Sequence, residues 1–372
     1  MKNLSDTMIV LGLMSGSSLD GTDIGIFKFT ENSDGSDPDI EWLKTQTNAY
    51  PDHLKEKLKR SDQLPLESYF ELEAELSRYY GQLIREIKNE GHSIDLVSVH
   101  GHTVFHQPDK GFSIQMGLGG IIAENAGVPV VTDFRNNAIA LGWQGAPMVP
   151  ILDHLFKSKA DFFLNLGGIA NLSIIEDKYT LSMDVCGCNQ VLDFLAAQAG
   201  MEYDENGKMA SKGNTDTELL SKFNEFDFLQ QKAPKSLSNQ QIRSYYIPLL
   251  RNNHLPVEDK MRTMVEHIVE AIALELKSGS EGHPKKMMVS GGGAHHLTLM
   301  ERLKKELAAF NIEIIVPDNN FIDFKESLLM AYAGWLRWRG VSNFIPENHE
   351  NTLEVYGGGV YLPANFKTNN KK

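Results

Sequence analysis

Cysteine is almost missing from this sequence, with two in 372 residues, Cys186 and Cys188. One residue apart, they cannot staple distant segments. A secreted disulfide framework is therefore excluded, and a reducing, cytoplasmic setting is expected. Positive charge is also short. Against 49 acidic residues stand 36 Lys and Arg, a net charge of −13, which argues against nucleic acid or an anionic membrane as partner. No apolar run approaches the ~20 residues of a membrane span. The early run Met8–Met14 is short, has Asp6 beside it and only Lys2 as a preceding positive charge, so it is read as a strand and not as a leader. Two nucleotide signatures are missing as well. There is no Gly-x-x-x-x-Gly-Lys-Ser/Thr, and no Gly-x-Gly-x-x-Gly opens a helix after the first strand, so P-loop and Rossmann readings are poor. None of these absences excludes a phosphate ligand, because backbone N–H groups and a divalent cation can hold one without a basic patch.

At 372 residues the chain exceeds the ~250–300 at which one hydrophobic core stops growing, so two domains are expected. Short apolar strands alternate with amphipathic helices, which indicates α/β layering. Residues 9–14 read as a buried strand and 23–27 as the return strand of a hairpin. Residues 68–89 read as a helix with Tyr69, Leu72, Leu76, Tyr79, Leu83 and Ile87 on one stripe, stopped by Gly91. Further strands are read at 96–100 and 128–132. The strand–turn–strand opening then recurs about 150 residues on, at 162–166, Gly167-Gly168 and 169–175, which suggests two related halves. Residues 206–253 are polar and read as a surface excursion, and helices are read at 258–277, 297–309 and 324–338.

Three glycine turns each follow a strand. In the first, Gly16-Ser17-Ser18-Leu19-Asp20-Gly21-Thr22-Asp23, successive N–H groups can face one concavity. Ser15, Ser17 and Ser18 can add hydroxyl donors, and Asp20 with Asp23 offers hard oxygens to Mg²⁺. The second is Gly167-Gly168 and the third Gly291-Gly292-Gly293 ahead of a helix. Each alone could be an ordinary tight turn. Together they match two hairpin phosphate clamps and a glycine-lined nucleoside pocket, the pattern of the actin, hexokinase and heat-shock-protein-70 superfamily.

With these residues in hand, the sequence resembles the anhydro-N-acetylmuramic acid kinase family from about Gly12 to Gly358. The segments that carry the resemblance are Gly12–Gly21, His100-Gly101-His102-Thr103-Val104-Phe105-His106-Gln107-Pro108, Asp133-Phe134-Arg135, Gln144–Pro150, Asn165–Asn171 and Ser290–His295. It implies two related actin-like (ribonuclease H-like) α/β domains, residues 1–135 with 340–372 and residues 136–339, with an ATP cleft between them. It also implies an ATP- and Mg²⁺-dependent kinase that opens 1,6-anhydro-N-acetylmuramic acid with water and phosphorylates O6, a small amino sugar as partner, and a homodimer. Residue by residue, Gly16 to Asp23 with Gly167, Gly168 and Gly291 to Gly293 would hold ATP. Asp20 would meet the metal, and Asp184 would activate the water. Arg135, Glu326 and His100 would meet the sugar. Asp184 could equally cap a helix starting near Asn189, and Glu326, three after Asp323, has capping-box spacing. His100, His102 and His106 lack a nearby fourth ligand for zinc.

The sequence departs from the family wording at Val185-Cys186-Gly187-Cys188, at Leu118, at Ala138, at Trp143 and at His102. These changes gather on the sugar side. A kinase for a related amino sugar, a non-catalytic binding paralogue and a glycosidase using Asp184 with Glu326 therefore stand as alternatives.

Overall fold

A computed structural model describes residues 6–16, 19, 21–146, 148–176, 179–276, 284–346 and 353–366. The chain packs into two compact units, Met1–Leu152 with Phe324–Ile345 and Thr352–Lys372, and Asp153–Asp323 with Pro346–Asn351.

The first unit opens with strands β1 (Thr7–Ser15), β2 (Thr22–Thr30) and β3 (Asp39–Asn48), then helices α1 (Asp52–Leu58) and α2 (Leu66–Asn89). Strands β4 (Leu96–Val99), β5 (His102–Gln107) and β6 (Phe112–Met116) follow, then α3 (Gly119–Ala126), β7 (Val130–Thr132) and α4 (Arg135–Ala140). β1, β2 and β3 form an antiparallel meander, while β4 pairs parallel with both β1 and β7. β5 and β6 form a separate hairpin. Val10, Leu11 and Leu13 of β1 are fully buried, as expected of a strand covered on both faces. α2 covers the sheet with Leu72, Leu76, Leu83, Ile84 and Ile87, a stripe at helical spacing.

After α5 (Pro150–Leu155), the second unit repeats the plan. It comprises β8 (Phe162–Leu166), β9 (Ile169–Ile175), β10 (Thr180–Gly187), α6 (Asn189–Gln198), α7 (Thr217–Asn224), α8 (Asn239–Arg251), α9 (Val257–Leu276), β11 (Lys285–Ser290), α10 (Leu297–Ala308) and β12 (Ile312–Ile315). β8, β9 and β10 form the antiparallel meander, and β11 pairs parallel with both β8 and β12. The chain ends with α11 (Asn319–Arg339) and β13 (Gly359–Tyr361), the latter antiparallel to β7. The two large sheets run β3-β2-β1-β4-β7-β13 and β10-β9-β8-β11-β12, matching over their first five strands. The same order and strand directions thus occur twice: these are the two related halves expected from the recurring hairpin, and the ribonuclease H-like α/β units that the resemblance implies. No helix among the described residues is long and apolar enough to cross a membrane.

Four expectations need correction. The first unit extends to Leu152 instead of ending at 135, and it also takes the helical residues from Phe324 onward. The physical reason is close packing: a Cβ on Gly12 of β1 would collide with the Ser327 carbonyl, and one on Gly334 would lie 2.5 Å from Ser98 Cβ. Residues 206–253 are not a surface excursion, because Leu219, Phe223, Phe228, Ile242, Tyr246 and Leu250 enter the second core. Their spacing on α7 and α8 hides an apolar stripe inside a polar composition. Asp323 and Glu326 form no capping box. α11 begins earlier, and it is the Asp318 carboxylate that accepts from Phe321 N–H, at 2.9 Å. Asp184 caps no helix either; it lies within β10, and the residue preceding α6 is Cys188.

Candidate functional site

In the second unit the glycine turns sit at the carboxyl ends of neighbouring parallel strands. β8 ends at Leu166, β11 ends at Ser290, and Ser290 pairs with Asn165. Open α/β sheets bind ligands at such strand ends. Gly291 has φ +83°, and a Cβ there would lie 2.8 Å from Asn165 Oδ1 and from the Leu166 carbonyl. This position needs glycine for both reasons. Gly293 packs against Leu166 as well, so the third predicted turn rests on the residues that lead into the second.

Gly167 and Gly168 differ. Their carbonyls accept N–H bonds from Asn189 (3.0 Å) and Cys188 (2.9 Å), which fastens the turn to the start of α6. Yet a Cβ on Gly168 would meet nothing closer than Gln190 Cβ at 3.9 Å. Protein packing therefore does not demand glycine there. Nearby, the Oε1 atom of Gln190 is buried and has no hydrogen-bond partner among the described residues, an acceptor awaiting a donor.

Gly292 and Gly293 open onto a cavity of about 510 Å³ lined also by Asn189, Tyr203, Asp204, His295 and His296. That volume falls within the range of small-molecule sites. Its floor is fixed by His296. The Nδ1 atom accepts from Leu299 N–H at 3.2 Å, so Nε2 carries the proton and faces Asp204 Oδ2 at 3.3 Å. Asp204 in turn accepts from the N–H groups of Met209 and Ala210 at 2.7 and 3.0 Å. Sequence inspection missed this pocket wall because Asp204 and His296 stand far apart in the chain.

Asp184 is half-buried on β10, next to a register shift between Asp184 and Cys186. Its Oδ2 accepts from Leu237 N–H at 2.7 Å and from Ser236 Oγ–H at 3.2 Å. Burial pushes its pKa up, opposed by these two donors. Raising the pKa of a carboxylate makes it a stronger base toward water. Cys186 and Cys188 are fully buried free thiols, and burial raises Cys188 to about 12, so both are protonated packing residues.

In the first unit the first turn is described at Gly16, Leu19 and Gly21 to Asp23; Ser17, Ser18 and Asp20 lie outside the described residues. Leu19 takes φ +58° while burying its side chain. Ser15 is buried, and its hydroxyl oxygen accepts from Tyr50 at 2.6 Å. Asp23 accepts from Thr47 at 2.6 Å. Thr22 is fully buried, and its hydroxyl has no partner among the described residues.

His100 and Arg135 do come together. The Nδ1–H of His100 donates to the Gly101 carbonyl at 2.9 Å, and its Nε2 accepts from the Arg135 guanidinium at 2.9 Å. Burial, then the Arg135 charge, holds His100 down to about 3, so the imidazole is neutral. Glu326 is exposed, and its charge supports that of Arg135, whose pKa burial lowers. Around this pair the β5–β6 hairpin supplies a polar surface. Ser113 Oγ bonds His106 and Gln115 at 3.0 and 2.7 Å, and Ser113 N–H donates to Asn136 at 3.0 Å. Arg135 Nε, His102 Nδ1 and Gln115 Oε1 are buried without partners among the described residues. Three orphaned polar atoms on one hairpin and the adjoining helix suit a polyhydroxylated ligand.

The sequence profile of a family described as anhydro-N-acetylmuramic acid kinase matches residues 8–358. A protein of that name from Haemophilus influenzae is 30% identical over 364 residues, covering 91% of this chain and 92% of its own. Another from Mannheimia succiniciproducens is 31% identical over 360 residues, covering 91% and 93%. Among solved structures, an activator of 2-hydroxyisocaproyl-CoA dehydratase from Clostridium difficile superposes with a TM-score of 0.41 at 16% identity, covering 91% of this chain and 100% of that one. The fold assignment rests on the strand order and not on that superposition.

Proposed function

The chain belongs to the anhydro-N-acetylmuramic acid kinase family, and from that premise we propose that it is an ATP-dependent kinase of 1,6-anhydro-N-acetylmuramic acid. The observation that carries the nucleotide part is the packing of Gly291 and Gly293 against Asn165 and Leu166, the residues that lead into Gly167-Gly168, beside a 510 Å³ cavity. In this reading the cavity takes the nucleoside, with Asn189 and His296 on its wall. The Gly167-Gly168 turn leaves bare backbone for phosphate. The turn Gly16, Ser17, Ser18, Leu19, Asp20, Gly21, Thr22, Asp23 is the phosphate contact of the first unit. No cluster of three His, Cys, Asp or Glu side chains that could hold a metal occurs among the described residues. That suits Mg²⁺, which keeps water and phosphate ligands and needs only one or two carboxylates. Asp20 and Asp23 are the carboxylates of the turn. The ion would supply charge neutralisation for the transferring phosphoryl group.

The sugar meets Arg135, His100 and Glu326. Neutral His100 leaves Arg135 its full positive charge and orients the fork through one N–H, so the unpartnered Nε remains to donate. Asp184 removes a proton from water as the oxygen attacks the anomeric carbon. The bond from that carbon to O6 breaks, and O6 takes the γ-phosphoryl group, giving ADP and N-acetylmuramic acid 6-phosphate. The test is ADP release by the purified protein with MgATP, with and without the anhydro sugar, and mass spectrometry of the product. Sugar-dependent ADP release with the 6-phosphate as product is expected. Release indifferent to the sugar, or sugar opened without ATP, refutes the reading.

A further inference from the structure

Asp184 is gripped by three consecutive residues of one loop. Its N–H donates to the Lys235 carbonyl at 2.9 Å, and its Oδ2 accepts from Ser236 and Leu237. Its Oδ1 carries no hydrogen bond among the described residues, so one oxygen is held and the other is left for a proton. The loop itself has one anchor. The Lys235 side chain is 1% exposed and its Nζ lies 2.6 Å from Glu275 Oε1 on α9. The same ammonium donates to the Phe228 and Leu229 carbonyls at 3.3 and 3.4 Å and lies over the Phe228 ring. A buried ammonium so fully satisfied is a fixed point, and the backbone that reaches Asp184 starts from its α-carbon.

We propose that Lys235 and Glu275 are positioning residues for Asp184, aiming its free carboxylate oxygen through the Lys235–Leu237 segment. This rests on the reading of Asp184 as the base. Aim matters because a misplacement of about 1 Å can cost on the order of 100-fold in rate. No other charge decides the aspartate's titration. Its partner on β9 is the neutral Asn171. The Cys186 and Cys188 thiols are protonated, and the Lys235 charge is matched by Glu275. Burial and the two donors remain, so removing the Ser236 hydroxyl must raise the pKa of Asp184 and move the acid limb of the rate profile to higher pH.

The experiment measures kcat and KM for ATP and sugar against pH, in the coupled ADP assay, for wild type, Lys235→Met, Ser236→Ala and Asp184→Asn. Lys235→Met is expected to lower kcat at least about tenfold while KM for ATP stays within about twofold. Ser236→Ala, an exposed hydroxyl that cannot threaten folding, is expected to shift the acid limb upward by about half a pH unit. If Asp184→Asn is inactive while both other profiles superimpose on wild type, the base stands and the positioning role is overturned. If Asp184→Asn keeps a near-normal rate, the base assignment itself falls. Should Lys235→Met fail to fold, Glu275→Gln, which keeps an oxygen beside the Lys235 ammonium, decides by the same comparison: a lowered kcat with KM for ATP unchanged supports the anchor, and wild-type kinetics overturn it.

Discussion

Gly168 and Gly291 occupy two of the three turns assigned to ATP, yet alanine at each should fail for opposite reasons. At Gly291 the added Cβ faces Asn165 Oδ1 and the Leu166 backbone at 2.8 Å with φ at +83°. The left-handed backbone costs about 1–2 kcal/mol for a residue with a Cβ, and overpacking adds roughly 1–3. About 3 kcal/mol in a domain of this size lowers Tm by roughly 6–12 °C. At Gly168 the nearest atom to an added Cβ is 3.9 Å away, so the fold should lose nothing and Tm should stay within about 1 °C. What alanine would occupy is the space assigned to phosphate, and KM for ATP should rise about tenfold, the equivalent of about 1.4 kcal/mol. Thermal melts and ADP release on both variants check this. A Gly168→Ala variant with unchanged KM for ATP would refute the phosphate seat, and a Gly291→Ala variant that melts like wild type would refute the steric argument.

Asp184→Asn should lower kcat by about 10²–10⁴, the usual worth of a general base. It should not lower Tm at neutral pH, because the amide oxygen still accepts from Leu237 and no charge remains to be buried; Tm and turnover measured together decide it. Arg135→Lys loses the fork that meets His100 and should raise KM for the sugar at least about tenfold while leaving KM for ATP unchanged. Phe223→Ala removes a fully buried ring of the second core and should cost about 3–5 kcal/mol in denaturant unfolding, where a surface excursion would lose almost nothing. His100 and His267 are both held down to about 3 by burial. Between that value and the ordinary one the unfolded chain binds more protons, so stability is full above about pH 6.5 and falls as pH is lowered toward 3. Calorimetry from pH 7 to 4 should show Tm dropping, with a flatter slope in His267→Gln.

The layering, the repeated hairpin and the glycine turns were legible because their causes are local. Strand periodicity, a helix stripe and a glycine at positive φ each leave a mark within a few residues. Domain limits were not legible, since the cause that joins α11 to the first unit is the fit of Ser327 against Gly12, residues far apart in sequence. The 206–253 segment misled for a different reason. Its average composition is polar, but Leu219 and Phe223 on α7, and Ile242, Tyr246 and Leu250 on α8, fall on one side of each helix. Composition averages over faces that the structure separates.

The same distinction separates two kinds of candidate residue. Asp184, His100 and Arg135 could be named from a resemblance, but the groups that set their chemistry could not. Whether His100 can hold the Arg135 fork depends on its tautomer, which the Gly101 carbonyl fixes by taking the Nδ1 proton. Gly101 itself sits at φ +81°, and a Cβ there would lie 2.5 Å from the Met116 carbonyl. The turn that aims this carbonyl is thus locked by packing against β6. A Gly101→Ala variant should therefore disturb Arg135 without touching it. The expected signature is a raised KM for the sugar with KM for ATP unaltered, as for Arg135→Lys. The double variant should show far less than the product of the two single effects, because residues acting as one unit are not additive. Independent effects of the two substitutions would mean that the histidine does not transmit the constraint.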